Sequence, residues 1–244
     1  MTPFIAELLG TFILMLLGNA VVANVVLNGT KGHNSGWIVI TTAWGLAVYV
    51  AVLVAGPYSG AHINPAVTIS LAIAGLFDWS LVPSYILAQF LGAMLGTFFV
   101  WIMYRDHYKM TDDKNGILAT FCTGPAIRNL PVNFISEVIG TFVLLFAVFY
   151  IVSPELSIEQ QNVRFGLGSL GAIPVAFIVW VIGLALGGTT GYAINPARDL
   201  GPRIVHALLP MKNKRDSDWG YAWVPVIGPI IGGSLAAILY LILQ

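Results

Sequence analysis

The sequence predicts an all-α membrane protein with six transmembrane helices and two shorter helices that enter the membrane without crossing it. Of its 244 residues, 57% are hydrophobic and only 9% are charged, which is too little charge for the surface of a water-soluble globule. Six apolar stretches are long enough to span a bilayer, and two more are only about half that length. Each of these two short stretches begins with the triplet Asn-Pro-Ala.

A helix needs about 20 residues to cross a hydrocarbon core of roughly 30 Å. The stretches that meet this requirement are residues 4–27, 37–55, 80–104, 132–153, 169–187 and 221–243. The short stretches, 65–76 and 196–208, would form helices roughly 18 to 20 Å long, so they reach only about halfway across. The first stretch carries Glu7 where a signal peptide would carry basic residues, and we therefore predict a retained span.

The two halves of the chain repeat each other. The motif that begins at Glu7 recurs at Glu137 with an offset of 130, and the segment from Gly60 recurs at Gly191 with an offset of 131. We therefore predict one transmembrane channel domain over residues 1–244, built from repeats at approximately 1–110 and 130–244. Each repeat contains three full spans, an odd number, so the second repeat enters the membrane from the opposite side and the repeat is inverted.

Inversion brings the triplets Asn64-Pro65-Ala66 and Asn195-Pro196-Ala197 together near the bilayer midplane. Asn is a favoured N-cap, and Pro at the first helical position has no N–H to leave unsatisfied, so each short helix begins at its triplet with its positive dipole end at the centre. Irregular backbone at this depth is tolerated only where it is buried in protein or lines a wet cavity. Segments 58–63 and 189–194 are therefore predicted to be extended chain that lines a lumen. The carbonyl groups expected to face it belong to Gly60, Ala61, His62, Ile63, Gly191, Ala193 and Ile194.

Composition and spacing argue against several other classes of protein. Eleven Lys and Arg residues balance eleven Asp and Glu residues, so there is no net positive field for nucleic acid. The single cysteine, Cys122, excludes an intramolecular disulfide, and the four histidines lack zinc-ligand spacing. The predicted lumen offers no nucleophile with a base and no facing carboxylates. We predict a protein that is not an enzyme and that needs neither metal nor cofactor.

Paired Asn-Pro-Ala boxes in inverted repeats, each preceded by a Glu-x-x-Gly-Thr-Phe helix, resemble the major intrinsic protein family, the aquaporins and glycerol facilitators. The resemblance covers essentially the whole chain. It implies an aquaporin-like fold with one pore per subunit, a homotetramer, and a multi-pass position among the lipids of the cell membrane with both termini in the cytoplasm. That orientation puts most Lys and Arg residues in outer loops, against the positive-inside rule, and orientation stays open.

The second box continues into Arg198 and Asp199, which resembles the polyol-conducting branch of the family rather than the strict water channels. The filter of glycerol facilitators maps onto Trp44, Gly183, Tyr192 and Arg198. Water-selective relatives usually place His near position 183, and glycine there implies room for a carbon chain. Glycerol facilitators commonly have Phe where this chain has Tyr192, so the additional hydroxyl either narrows the filter or adds a hydrogen-bonding partner.

The resemblance implies a passive channel for glycerol and similar small uncharged solutes, with some water, that excludes protons and ions. The choice among glycerol, dihydroxyacetone, urea and protonated lactic acid stays open. Glu7 and Glu137 are charged residues within spans, where charge is costly. The resemblance implies that each accepts hydrogen bonds from backbone N–H groups of the nearby irregular loop. The alternative is a proton-coupled secondary carrier in which these two residues carry the proton.

Two pairs of glycines have the small-xxx-small spacing that permits close approach of helices, Gly92 with Gly96 and Gly228 with Gly232. We expect them to pack helices within the subunit, and a contact between subunits is the alternative. The side chain of His62 is expected to brace its loop, while coordination of a solute is the alternative.

Overall fold

The computed structural model describes residues 1–152, 155–158, 161–164 and 166–244. The helices are α1 Pro3–Val26, α2 Trp37–Ser59, α3 Pro65–Ile73, α4 Val82–Met103, α5 Arg105–Met110, α6 Lys114–Ala119, α7 Leu130–Phe149, α8 Ile173–Ala185, α9 Pro196–Leu208 and α10 Val224–Leu243. Single 3₁₀ turns, Trp79–Leu81 and Gly168–Ala172, lead into α4 and α8.

All six predicted spans are confirmed as helices long and apolar enough to cross a membrane. They are α1, α2, α4 with its preceding turn, α7, α8 with its preceding turn, and α10. The helix ends lie within a few residues of the predicted ones. The predicted end of the fourth span, residue 153, lies outside the described residues.

The two short helices are present and begin where the triplets predict. Helix α3 has 9 residues and α9 has 13, which correspond to roughly 14 and 20 Å at about 1.5 Å per residue. Helix α3 ends at Ile73, earlier than the predicted residue 76, because Gly75 adopts a left-handed φ of 72° that ends the helix.

The prediction of extended chain before the triplets was wrong. Helix α2 continues through Pro57 to Ser59, so Tyr58 is helical. The next residues alternate between conformations, with φ of 50° at Ala61 and 44° at Ile63. These left-handed values are unusual for residues with a side chain. They allow the N–H groups of consecutive residues, His62 and Ile63, to point to the same side of the chain.

One feature of the described chain was not predicted at all. Residues 155–158 and 161–164 form β1 and β2, a short antiparallel hairpin between α7 and α8, with Glu155 opposite Arg164. The hairpin lies in a connection between spans, so the predicted all-α membrane fold holds for the spanning elements.

The two halves interlock through their short helices. Within each half, α1 packs against α2 and α4, and α7 packs against α10. Across the halves, α3 packs against α10 and α9 packs against α4. Each short helix is therefore held by the last span of the opposite half, which fixes the two helix tips relative to each other.

The glycine pairs pack helices within this chain, as expected. A side chain on Gly96 would place its Cβ 2.5 Å from the carbonyl oxygen of Phe12 on α1, and one on Gly92 would overlap the carbonyl of Leu8. On α10, a Cβ on Gly232 would overlap the carbonyl oxygen of Val138 on α7. The absence of side chains thus lets helix backbones touch directly.

We expect Gly232→Ala to destabilise the protein by about 1 to 3 kcal/mol, because the added methyl group overpacks the contact between α10 and α7. Gly56→Ala is the matched helical control, since its Cβ would lie 3.8 Å from Val52 in ordinary contact. The measurement is the midpoint of thermal unfolding in detergent. Equal midpoints for the two variants would contradict this account of α10 packing.

Candidate functional site

The tips of α3 and α9 meet and exchange hydrogen bonds. The amide nitrogen of Asn64 donates to the carbonyl oxygen of Ile194 at 2.8 Å. The amide nitrogen of Asn195 donates to the carbonyl oxygen of Ile63 at 2.9 Å. Each carboxamide has a second N–H, which these bonds leave for another acceptor.

The same two asparagines cap the short helices. The side-chain oxygen of Asn64 accepts from the backbone N–H of Ala66 at 2.9 Å. That of Asn195 accepts from Ala197 at 3.0 Å and Arg198 at 3.2 Å. Pro65 and Pro196 occupy the first helical positions. Two positive helix ends, each equivalent to roughly half a charge, thus face each other at the contact.

A cavity of about 340 Å³ runs beside this contact. It extends from Trp44, Tyr192 and Arg198, past both asparagines, to Ile151 and Gly171 near the connection between α7 and α8. Most of its wall is apolar. The predicted carbonyl-bearing residues that contribute to it are Gly60, Ala61, His62, Ile63, Ala193 and Ile194.

Arg198 and Trp44 form one side of the cavity. The guanidinium carbon of Arg198 lies 4.3 Å from the centroid of the Trp44 ring, within cation–π range. Arg198 is 8% exposed, and its Nη1 has no hydrogen-bond partner among the described residues. The ring of Trp44 packs where a side chain on Gly18 would otherwise stand. Sequence reasoning overlooked Gly18.

Two of the predicted residues are absent from the described cavity wall, Gly183 and Gly191. A Cβ on Gly183 would lie 2.8 Å from Cζ of Tyr192, so Gly183 stands behind that ring. A Cβ on Gly191 would lie 3.3 Å from Thr123. The space that glycine provides at position 183 is therefore filled by Tyr192, and the expectation that it stays open for a carbon chain is corrected.

The carboxylate of Glu7 organises the loop before α3. It accepts hydrogen bonds from the backbone N–H of His62 at 2.9 Å and of Ile63 at 2.7 Å. The side chains of Ser59 and Gln89 donate to it at 2.6 and 2.7 Å. A wholly buried carboxylate therefore has four donors, and these contacts stabilise the left-handed backbone of the loop.

Glu137 does the same before α9. It accepts from the backbone N–H of Ala193 at 3.0 Å and of Ile194 at 2.9 Å. Tyr192 and Ile194 have left-handed φ of 38° and 44°. In both loops, therefore, two consecutive N–H groups donate to one buried carboxylate, while the carbonyl oxygens of Ile63 and Ile194 accept from the asparagines.

The side chain of His62 packs within the protein. Its Nδ1 lies 3.1 Å from the hydroxyl oxygen of Thr68, and its ring contacts the rings of Phe77 and Tyr85 at centroid distances of 4.6 and 4.9 Å. Residue 62 also forms part of the cavity wall. These contacts favour the bracing role over coordination of a solute.

A buried ion pair follows Arg198 directly and was not predicted. Asp199 and Arg203 have fully buried side chains 2.7 Å apart. Asp199 also accepts from the backbone N–H and the hydroxyl group of Thr123, at 2.7 and 2.6 Å, and Arg203 donates to the Thr123 carbonyl at 3.0 Å. The pair thereby ties the loop after α6 to α9. Opposite charges four residues apart within a short membrane helix were a signal for it.

Cys122 lies in the same loop and is buried. Loss of hydration on burial raises the pKa of its thiol, so it remains protonated at physiological pH. Among the described residues, no group of three or more His, Cys, Asp and Glu side chains could hold a metal ion.

Known proteins resemble the chain over its length. The model of the family described as major intrinsic protein matches residues 1–240. A probable glycerol uptake facilitator protein of Thermotoga maritima is 58% identical over 240 residues, which cover 98% of each chain. A glycerol uptake facilitator protein of Streptococcus pneumoniae is 52% identical with the same coverage.

A solved structure agrees with these relatives. The X-ray structure of the aquaglyceroporin from Plasmodium falciparum superposes with a TM-score of 0.82 at 35% identity, covering 97% of this chain and 93% of that one. The fold, the paired asparagine-capped helices and the match over nearly the whole length agree with one another. The chain belongs to the major intrinsic protein family.

Proposed function

We propose that the protein is a passive channel for glycerol and other small uncharged solutes, with some water, and that it excludes protons and ions. The observation that carries this proposal is the cavity beside the asparagine contact, which is lined by the rings of Trp44 and Tyr192 and the guanidinium group of Arg198. Relatives named as glycerol uptake facilitators support glycerol as the principal cargo.

In this proposal, Trp44, Tyr192 and Arg198 form the filter. The rings of Trp44 and Tyr192 contact the C–H side of a polyol, and Arg198 donates hydrogen bonds to its hydroxyl groups. Carbonyl oxygens of the two loops then accept from the hydroxyl groups as the solute passes the asparagines. An uncharged molecule with one apolar and one polar side fits this arrangement.

Ions are excluded by charge and by lost hydration, as is understood for aquaporin-type pores. Each short helix places roughly half a positive charge at the centre. Arg198 adds a full charge in the cavity wall. Asn64 and Asn195 also donate to a passing oxygen with their free N–H groups, which interrupts a chain of water molecules that would conduct protons.

Swelling of proteoliposomes in a panel of solutes tests the function. We expect glycerol to enter vesicles containing the protein at least about tenfold faster than protein-free vesicles, because the cavity replaces part of the solute's hydration. Dihydroxyacetone, urea and lactic acid at a pH that protonates it would rank the remaining cargoes. If glycerol enters both kinds of vesicle at the same rate, the proposed function fails.

The contacts of the two buried glutamates disfavour a proton-coupled carrier. Glu7 and Glu137 are 0% and 1% exposed, and each holds the backbone N–H groups of a loop. Neither belongs to the described cavity wall. Solute entry that follows an imposed pH gradient and saturates at low concentration would support the carrier instead.

We further propose that residues 1–244 form one channel domain of two inverted repeats, approximately 1–110 and 130–244. The channel assembles as a homotetramer in the cell membrane with both termini in the cytoplasm. Apolar side chains exposed along the spans supply surface for lipid and for neighbouring subunits. Protease cleavage of the loop at 105–131 in intact cells tests the orientation, and the mass of the detergent-solubilised complex tests the assembly.

A further inference from the structure

The hydroxyl group of Tyr192 does not face the cavity, although the residue lines it. The hydroxyl oxygen is inaccessible to water and has no hydrogen-bond partner among the described residues. It lies 2.9 Å from the place where a Cβ on Gly183 would stand. The hydroxyl therefore points toward α8, and the part of the residue that a solute meets is the ring.

Trp37, at the first position of α2, also contacts the ring of Tyr192. The rings of Trp37 and Tyr192 meet edge to face, with centroids 5.9 Å apart and planes at 81°. The indole N–H of Trp37 donates to the carbonyl oxygen of Gly183 at 3.0 Å. A Cβ on Gly187 would overlap the ring of Tyr192 and lie 3.0 Å from the indole of Trp37.

These four residues, Trp37, Gly183, Gly187 and Tyr192, pack against one another. Gly183 on α8 and Gly187 just after it provide the space for the ring of Tyr192, and the indole of Trp37 packs beside that ring. Trp37 is 41% exposed and does not belong to the described cavity wall. Its contact with a residue of that wall is the one with the ring of Tyr192.

An ordinary role for Trp37 would be to anchor α2 at the membrane surface. Tryptophans are enriched there because the ring is apolar and the N–H can meet water or lipid headgroups. Trp79 fits that role, since it is 56% exposed and its indole makes no hydrogen bond to a described residue. The N–H of Trp37 instead donates to the backbone carbonyl of Gly183, which lies next to the ring of Tyr192.

We propose that Trp37 is a positioning residue that sets the width of the filter by holding the ring of Tyr192 toward the cavity. Trp44 and Arg198, which are in cation–π contact, also line the cavity. Removal of the indole would open space beside Tyr192 and let its ring retreat. Longer polyols would then enter more readily. The inference rests on the proposed function, because it assigns the filter its selectivity for solute size.

The test compares the permeability of ribitol, a five-carbon polyol, with that of glycerol in proteoliposomes. In Trp37→Ala we expect the ribitol-to-glycerol ratio to rise about threefold or more, since a change in fit at a narrow site typically shifts discrimination by this order. Trp37→Phe keeps a ring but loses the N–H donor, and we expect an intermediate ratio. Trp79→Ala is the matched control and should keep the ratio of the unchanged chain.

The permeability of water and the amount of protein incorporated are measured in the same vesicles. An unchanged ratio in Trp37→Ala, at normal incorporation, would overturn the proposal. A parallel fall in water, glycerol and ribitol permeability would also overturn it, because that result indicates a general structural role. If the unchanged chain conducts no glycerol, the proposed function fails, and that outcome is distinct from an unchanged ratio in a working channel.

Discussion

Replacement of Glu137 by alanine is expected to destabilise the loop before α9 and to abolish glycerol permeability. The carboxylate accepts from the backbone N–H groups of Ala193 and Ile194, and no water inside the bilayer would replace it freely. Two buried donors without a partner cost about 1 to 3 kcal/mol each. The variant should lose about 2 to 6 kcal/mol of stability together with glycerol permeability. Thermal unfolding in detergent and vesicle swelling measure the two losses.

Glu137→Gln is the informative companion variant. Its amide keeps one oxygen that can accept a hydrogen bond, so we expect a smaller loss of stability than for alanine. Glu7→Ala should resemble Glu137→Ala, because Glu7 has the same role before α3. If Glu137→Ala retained both the unfolding midpoint and the glycerol permeability of the unchanged chain, the role of this carboxylate as a scaffold would be refuted.

The second large effect is expected from Arg198→Ala, which should make the channel leak protons or small cations. This substitution removes a full positive charge from the wall of the cavity, where the guanidinium stacks on the ring of Trp44. At an effective dielectric constant near 20, a unit charge a few ångströms away raises the energy of a passing cation by several kcal/mol. A barrier lowered by about 2 kcal/mol corresponds to a roughly 30-fold faster leak. Decay of an imposed pH gradient across proteoliposomes measures it.

Arg128→Ala provides the control for charge removal. Arg128 lies in the loop before α7, half exposed, where its hydrogen bond to Asp218 raises the pKa of its guanidinium. Screening by water at this position makes the pair weak, and we expect no change in leak. Equal leak in the two variants, or tight vesicles with Arg198→Ala, would remove Arg198 from ion exclusion.

The spans and short helices could be predicted because local features determine them. Length and apolar composition mark the six crossings, and Asn64 and Asn195 mark the starts of α3 and α9 through N-capping. The continuation of α2 past Pro57 to Ser59 was missed, since proline usually ends or bends a helix. Helix ends of this kind depend on the tertiary contacts of the following loop.

The inner details of the site could not be predicted because they depend on contacts between distant segments. Thr123 meets Asp199 across 76 positions of sequence, and Trp37 meets Gly183 across 146. No local spacing encodes such pairs. The orientation of Tyr192 depends likewise on clearance at Gly183 and Gly187, which becomes visible only when α8 and the loop before α9 are packed together.

The exchange of hydrogen bonds between Asn64 and Ile194, and between Asn195 and Ile63, has a consequence for biosynthesis. While the ribosome is still making the carboxyl-terminal half, the side-chain amide of Asn64 and the carbonyl group of Ile63 lack these hydrogen-bond partners within the bilayer. Helix α3 therefore reaches its final packing only after α9 has been inserted. The wall of the conduit is accordingly completed late in maturation. A nascent chain arrested before residue 195 would insert its spans without completing that wall.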